Sequence, residues 1–241
     1  MGEIVLVHGA WHGGWCWDAV ADGLSERGHT VHVVTLPGHD RPGTSTRIWN
    51  RVSHYLDEID RVVRGCAEPP VIVGHSMGGY LTQRYLENHI AAAGVLVASV
   101  PHRGALAANL RILRRMPGAT LAAMGLFDYH RLVDTEAKVR EFFFAADTPS
   151  PVVAETAAKL QSESALAILT MLARPPRPTK VTSPVHVISA EGDVIFPVAE
   201  QEALAAAYGA DQTVIAGAHD LMLEPTWSEL VDTIHRIVDE A

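Results

Sequence analysis

Six short runs of aliphatic and β-branched residues recur along the chain, at residues 4–7, 31–35, 71–73, 95–97, 185–189 and 213–216. None alternates between apolar and polar side chains, so none suits a sheet with one face in water. Strands of this kind need cover on both faces, and helix-like segments separate the runs. The pattern predicts an α/β fold built on a six-stranded, mostly parallel sheet flanked by helices.

The alternation breaks after the fourth run. Residues 102–178 hold no convincing strand but do hold amphipathic helical stretches at 107–115, 136–144 and 152–171. They close on Arg174-Pro175-Pro176-Arg177-Pro178, which a helix cannot continue through. The expected organisation is a core of 1–101 and 179–241, with 102–178 inserted as a helical cap. Ten Lys and Arg against seven Asp and Glu make the insertion the relatively basic part of a chain whose net charge is −9.

An acidic balance of that size excludes nucleic acid and anionic membrane as favoured partners, and no apolar stretch is long and clean enough to insert into a bilayer. The two cysteines, Cys16 and Cys66, supply neither a disulfide framework nor metal-ligand spacing, so neither a metal nor another cofactor is expected. A strand-like run that begins at Glu3 leaves no room for a leader peptide, and the expected location is the cytoplasm.

The chemistry centres on Gly74-His75-Ser76-Met77-Gly78-Gly79, which directly follows the third run and directly precedes a helical stretch at 80–88. A serine on so sharp a strand-to-helix turn is held in a strained conformation, so the residues two before and two after it must be small. Gly74 and Gly78 meet that need. The helix that follows aims its first amides at the serine, and the Met77 amide is the natural donor to a negatively charged carbonyl oxygen.

With that motif in place, the chain resembles the α/β-hydrolase superfamily along nearly its whole length. An opening strand ends in His8-Gly9, the elbow follows at Ser76, an insertion follows the fourth strand, and an Asp and a His come last. More narrowly, His8-Gly9-Ala10-Trp11-His12-Gly13-Gly14-Trp15-Cys16-Trp17 is similar to the HGAxHGxWxW segment of the plant methylesterase and hydroxynitrile lyase branch. The resemblance implies that the backbone amide of Ala10 joins that of Met77 in an oxyanion hole. The lyases of this branch carry Thr in the HG position and Lys immediately after the catalytic His. Here those positions are Gly9 and Asp220, so the resemblance implies hydrolysis rather than lyase chemistry.

Thirteen histidines are present, and the resemblance selects His219, on the loop after the last strand, as general acid and base. It likewise places the orienting carboxylate after the fifth strand, at Asp193, with Glu191 and Asp220 as weaker candidates. His8 and His75 read as hydrogen-bonded supports, and Trp15 and Trp17 as packing for the oxyanion loop. Trp11, His12, Phe127 and Phe143 are the candidates for substrate contact.

The expected activity is hydrolysis of small to medium hydrophobic carboxylic esters through a Ser-His-Asp triad and an acyl-enzyme, with a small-molecule ester as the partner. The same triad also serves C–C hydrolysis, thioester or lactone cleavage, and acyl transfer. A ligand receptor with the hydrolase fold and little turnover is the alternative from another class. The sequence leaves these open, together with the oligomeric state.

Overall fold

The computed structural model describes residues 1–40 and 50–241. Its strands are β1 (Glu3–Val7), β2 (Thr30–Val34), β3 (Val71–His75), β4 (Ala93–Val97), β5 (Val185–Ala190) and β6 (Asp211–Ile215). They form one sheet in the order β2-β1-β3-β4-β5-β6, with every neighbouring pair parallel. The core helices are α1 (Asp18–Glu26), α2 (Val52–Val63) and α3 (Met77–Leu86). Between β4 and β5 come α4 (Leu106–Arg115), α5 (Pro117–Leu126), α6 (Glu136–Phe143), α7 (Ser150–Lys159) and α8 (Ala165–Ala173). Then come α9 (Val198–Tyr208) and α10 (Trp227–Glu240).

The central strands β1, β3, β4 and β5 have the two-sided cover that unalternating strands require, whereas the edge strands β2 and β6 leave Val33 and Val214 exposed. Successive residues of a strand point to opposite faces, so Ile4 and Leu6 pack in one cluster with residues of α1 and α10. Val5 and Val7 pack in another with Tyr55 and Ile59 of α2 and Tyr80 and Leu81 of α3. Because all strands run the same way, the loops that leave β1, β3, β5 and β6 emerge at one edge of the sheet. The chain turns to opposite sides of β1 to reach β2 and β3, the kind of switch point at which open α/β sheets place their ligands. Among the described residues, no helix is long and apolar enough to cross a membrane.

The stretch at 152–171, expected as one helix, is instead two, α7 and α8. Leu160 leaves the helical conformation, and the Gln161 amide donates to the Trp11 carbonyl at 3.0 Å. Glu163 is fully buried, takes the Tyr55 hydroxyl at 2.7 Å and lies 3.0 Å from His39 Nε2. These tertiary bonds outweigh the local helical preference. Helix α5 escapes a periodicity reading because Pro117–Leu126 carries no charged residue to mark a wet face.

The Glu163 carboxylate joins the inserted helices to both the β2 loop and α2. Burial alone would raise its pKa, but His39, the Tyr55 hydroxyl and the Ser164 amide together hold it below the usual carboxylate value. Glu163→Ala is expected to destabilise the fold by about 3–5 kcal/mol, the usual cost of stranding one member of a buried pair. Urea unfolding checks this, and a loss below about 1 kcal/mol would show that the tie carries little of the stability.

Candidate active site

Ser76 sits between β3 and α3 with φ 52° and ψ −113°, a conformation that costs a non-glycine residue of order 1–3 kcal/mol. Its neighbours leave no slack. A Cβ on Gly74 would lie 2.3 Å from the Gly78 carbonyl oxygen, and one on Gly78 would lie 2.2 Å from that of Val7. The elbow is tied to β4 and the loop after it, since the Ser76 amide donates to Val97 at 3.0 Å and its carbonyl accepts from Val100 at 3.2 Å. Met77 opens α3, so its amide belongs to the first turn, which has no intrahelical acceptor.

The loop after β1 runs beside the elbow. A Cβ on Gly9 would lie 2.9 Å from His75 Nδ1 and 3.0 Å from Ser76 Cβ, so a larger residue there would displace one of the two. Trp11 is left-handed, with φ 65°, and its indole donates to the Tyr129 carbonyl at 3.1 Å. His8 bridges the Leu36 amide and the Gly9 carbonyl, one as acceptor and one as donor. Burial, aided by His39, pushes its pKa well below the usual imidazole value.

Two loops at the same sheet edge bring Asp193 and His219 together. The Gly192 amide donates to the Gly217 carbonyl at 2.8 Å, and His219 Nδ1 lies 2.8 Å from Asp193 Oδ2. The other Asp193 oxygen accepts from the amides of Ile195 at 2.7 Å and Phe196 at 3.0 Å. The carboxylate therefore has no freedom to turn away. Burial by itself lowers the pKa of His219, but the charge and hydrogen bond of Asp193, together with Asp220, outweigh it and hold the imidazole above its usual value.

The His219 loop is tied to the elbow through the neighbouring ring. His75 Nε2 donates to the His219 carbonyl at 3.0 Å, and the two rings lie 4.7 Å apart. Burial and the proximity of His219 push the His75 pKa well below the usual value, so this ring is neutral.

Asp220 lies directly beneath. It is fully buried, with Oδ2 2.9 Å from His12 Nε2 and Oδ1 3.6 Å from His75 Nε2. His12 Nδ1 lies 2.8 Å from the Ala10 carbonyl oxygen. Burial would raise the Asp220 pKa, but the charge and hydrogen bond of His12, with His75 and His219, bring it below the usual carboxylate value. Asp220 and the Ala10 carbonyl are then both acceptors, so the His12 ring is satisfied only when both its nitrogens carry hydrogen. Donor atoms of His75, His219 and Asp220 lie within 4.8 Å of one another, and Asp220 Oδ1 is buried without a hydrogen-bond partner among the described residues.

Ser76, Ala10 and Met77 line one narrow cavity of about 60 Å³. Its remaining wall is almost wholly apolar, with Ile112 from α4, Leu132 from the turn before α6, Ile168 and Met171 from α8, and Phe196 beside the Asp193 loop. A family model described as the alpha/beta hydrolase family matches residues 4–233. The chain belongs to that family. It is similar to a pyrethroid hydrolase of Sphingobium wenxiniae, 28% identical over 218 residues, which are 83% of this chain and 74% of that protein. It is also similar to a carbendazim hydrolyzing esterase of Nocardioides, 39% identical over 84 residues, and to methylesterase 10 of Arabidopsis thaliana, 35% identical over 108 residues. These two matches span only 33% and 38% of the respective relatives and 33% and 42% of this chain. The crystal structure of an Arabidopsis methylesterase, MES16, shares the fold over 100% of both chains, with a TM-score of 0.74 at 18% identity.

Within this alpha/beta hydrolase, the residues expected to touch substrate fall into separate places. Trp11 lines the cavity. His12 does not, because both its ring nitrogens are engaged and it is buried within the loop after β1. Phe143 is buried against Trp11, His12 and His219, and its carbonyl accepts the Asp220 amide at 3.0 Å; it supports the site from behind. Phe127 is 54% exposed, since its left-handed conformation ends α5 and turns the side chain outward. The pairing of Asp220 with His12 had no local signal, because the partners are 208 residues apart.

Proposed function

We propose that this chain is a serine hydrolase of carboxylic esters. Ser76 is the nucleophile, His219 the general acid and base, and Asp193 the residue that orients the imidazole. The amides of Ala10 and Met77 receive the oxyanion. The observation that carries the reading is the shared cavity: the one serine held in a strained elbow opens, together with both proposed donor residues, onto an apolar wall.

The steps follow from this arrangement. His219 Nε2 takes the Ser76 proton as its oxygen attacks the ester carbonyl, and the imidazolium that forms is stabilised by Asp193. The oxyanion of the tetrahedral intermediate is bound by the two amides, each such donor being worth about 100-fold to 1,000-fold in rate. His219 then returns the proton to the departing alkoxide. Water repeats the sequence on the acyl-enzyme and releases the acid.

The helices between β4 and β5 act as a cap over Ser76, and their aliphatic lining favours small to medium hydrophobic esters over charged ones. The names of the pyrethroid hydrolase and the two esterases among the relatives support the same reaction class. Hydrolysis is favoured over hydroxynitrile cleavage by two positions. Gly9 has no room for a threonine without displacing His75 or Ser76, and Asp220 puts a carboxylate where the lyases carry a lysine.

Against a panel of p-nitrophenyl esters of graded acyl length, Ser76→Ala is expected to lower kcat by at least about 1,000-fold, as loss of a triad nucleophile does. Cleavage near the wild-type rate would overturn the mechanism.

Neutral His219 is the working base, and its pKa is raised in the folded protein. Turnover is therefore expected to rise with pH through a midpoint above the usual imidazole value near 6.5. Asp220→Asn removes one of the charges that raise it, and the midpoint is expected to move to lower pH. A midpoint that moves upward, or a profile flat from pH 5 to 8, would contradict this assignment.

A further inference from the structure

On the other side of α8 from the Ser76 cavity lies a larger cleft of about 430 Å³. One helix separates the two. Ile168 and Met171 of α8 face the Ser76 cavity, while Leu166, Thr170 and the terminal Arg174, four residues apart in turn, line the cleft. The opposite wall is formed by the first turn of α2 and by Tyr80 and Arg84 of α3.

Three arginines, Arg51, Arg84 and Arg174, are among the residues that line this cleft, in a chain whose net charge is −9. Arg51 and Arg174 are exposed at the mouth of the cleft, where water and salt screen their charges, and Arg84 lies deeper. Glu87 answers part of the charge: its carboxylate is 3.2 Å from Arg84 Nε, and it also accepts the Arg177 amide at 3.0 Å. Among the described residues, Arg51 and Arg174 have no ion-pair partner in the structure. The backbone of Arg174 is fixed, because its carbonyl accepts from the Tyr80 hydroxyl at 2.9 Å and from Arg84 Nη1 at 3.2 Å.

A second feature has the same sign. The positive end of the 12-residue helix α2 lies in the wall, where Val52 and Ser53 belong to a first turn that carries no acidic side chain. Helix N-termini and guanidinium groups both favour oxyanions, and guanidinium matches phosphate oxygens in paired hydrogen bonds. The remainder of the wall is apolar, from Val52, Leu56 and Leu166. A cleft of this size holds a small organic molecule.

We propose that this cleft is a binding site for a small phosphate monoester with an apolar body. Its phosphate sits among Arg51, Arg84 and Arg174, and its hydrocarbon part rests on Val52, Leu56 and Leu166. The site is separate from the Ser76 cavity and does not depend on the reaction assigned there. Because α8 forms a wall of both, an occupant of the cleft bears directly on the helix that carries Ile168 and Met171.

Isothermal titration of the full chain with phenyl phosphate tests the proposal, with inorganic phosphate, benzoate and phenol as comparison probes. Phenyl phosphate is expected to bind saturably at one site and to weaken as salt is raised, with inorganic phosphate and benzoate weaker and phenol not bound. The double variant Arg51→Ala, Arg174→Ala is expected to lose at least about tenfold in affinity, the loss of charge-assisted hydrogen bonds, while keeping wild-type ester turnover in the absence of the probe. No saturable binding to the wild type, equal binding to the double variant, or equal binding of phenol would overturn the site. Tighter binding of benzoate than of phenyl phosphate would overturn the phosphate assignment. The readout is heat of binding, so failure of the esterase reading leaves this test unaffected.

Discussion

The backbone conformation at Ser76 constrains everything around it. A residue with a side chain at φ 52° and ψ −113° is stable only where the surroundings hold it there. Here α3 lies so close to β3 that Gly74 has no room for a Cβ, and so close to the end of β1 that Gly78 has none, while the Ser76 amide donates to Val97 and the Val100 amide donates to Ser76, tying the turn to β4. The same closeness sets the position of the β1 loop, whose Gly9 lies against Ser76 and His75. The strain is thus offset by the packing of three central strands.

Charge is handled by pairing. Three buried carboxylates each meet a histidine from a distant part of the chain: Asp193 with His219, Asp220 with His12, and Glu163 with His39. The three pairs do different work. Asp193 engages Nδ1 of its partner, which leaves Nε2 for proton transfer in the proposed reaction. Asp220 and the Ala10 carbonyl engage both nitrogens of His12, which makes that ring a brace between the β1 loop and the His219 loop. Glu163 links the inserted helices to α2 and the β2 loop. A buried carboxylate without such a partner would be neutralised or destabilising, so removing any one of these histidines should be felt well beyond its own contact.

The four central strands were legible because each must be apolar on both sides, and the edge strands β2 and β6 because they keep β-branched residues although they are only partly covered. The elbow was legible for a similar reason, since its steric demands fix glycine at set distances from the serine. What escaped was decided by distant partners. The run at 152–171 reads as one helix, and it is broken by tertiary bonds, those of Gln161 to Trp11 and of Glu163 to His39 and Tyr55. Phe127 and Phe143 look alike as cap aromatics, yet one ends a helix facing outward and the other supports His219 from behind. His12 looks like a side chain poised over substrate until its second nitrogen is traced to Asp220.

A fluorophosphonate, which reacts with an activated serine and not with an ordinary hydroxyl, offers the most direct measurement of the central claim. After brief exposure and proteolysis, mass spectrometry is expected to find one phosphonyl adduct, on the peptide that contains Ser76, and none when His219 is replaced by Ala. An adduct on any other peptide, or undiminished labelling of the His219→Ala variant, would contradict the account.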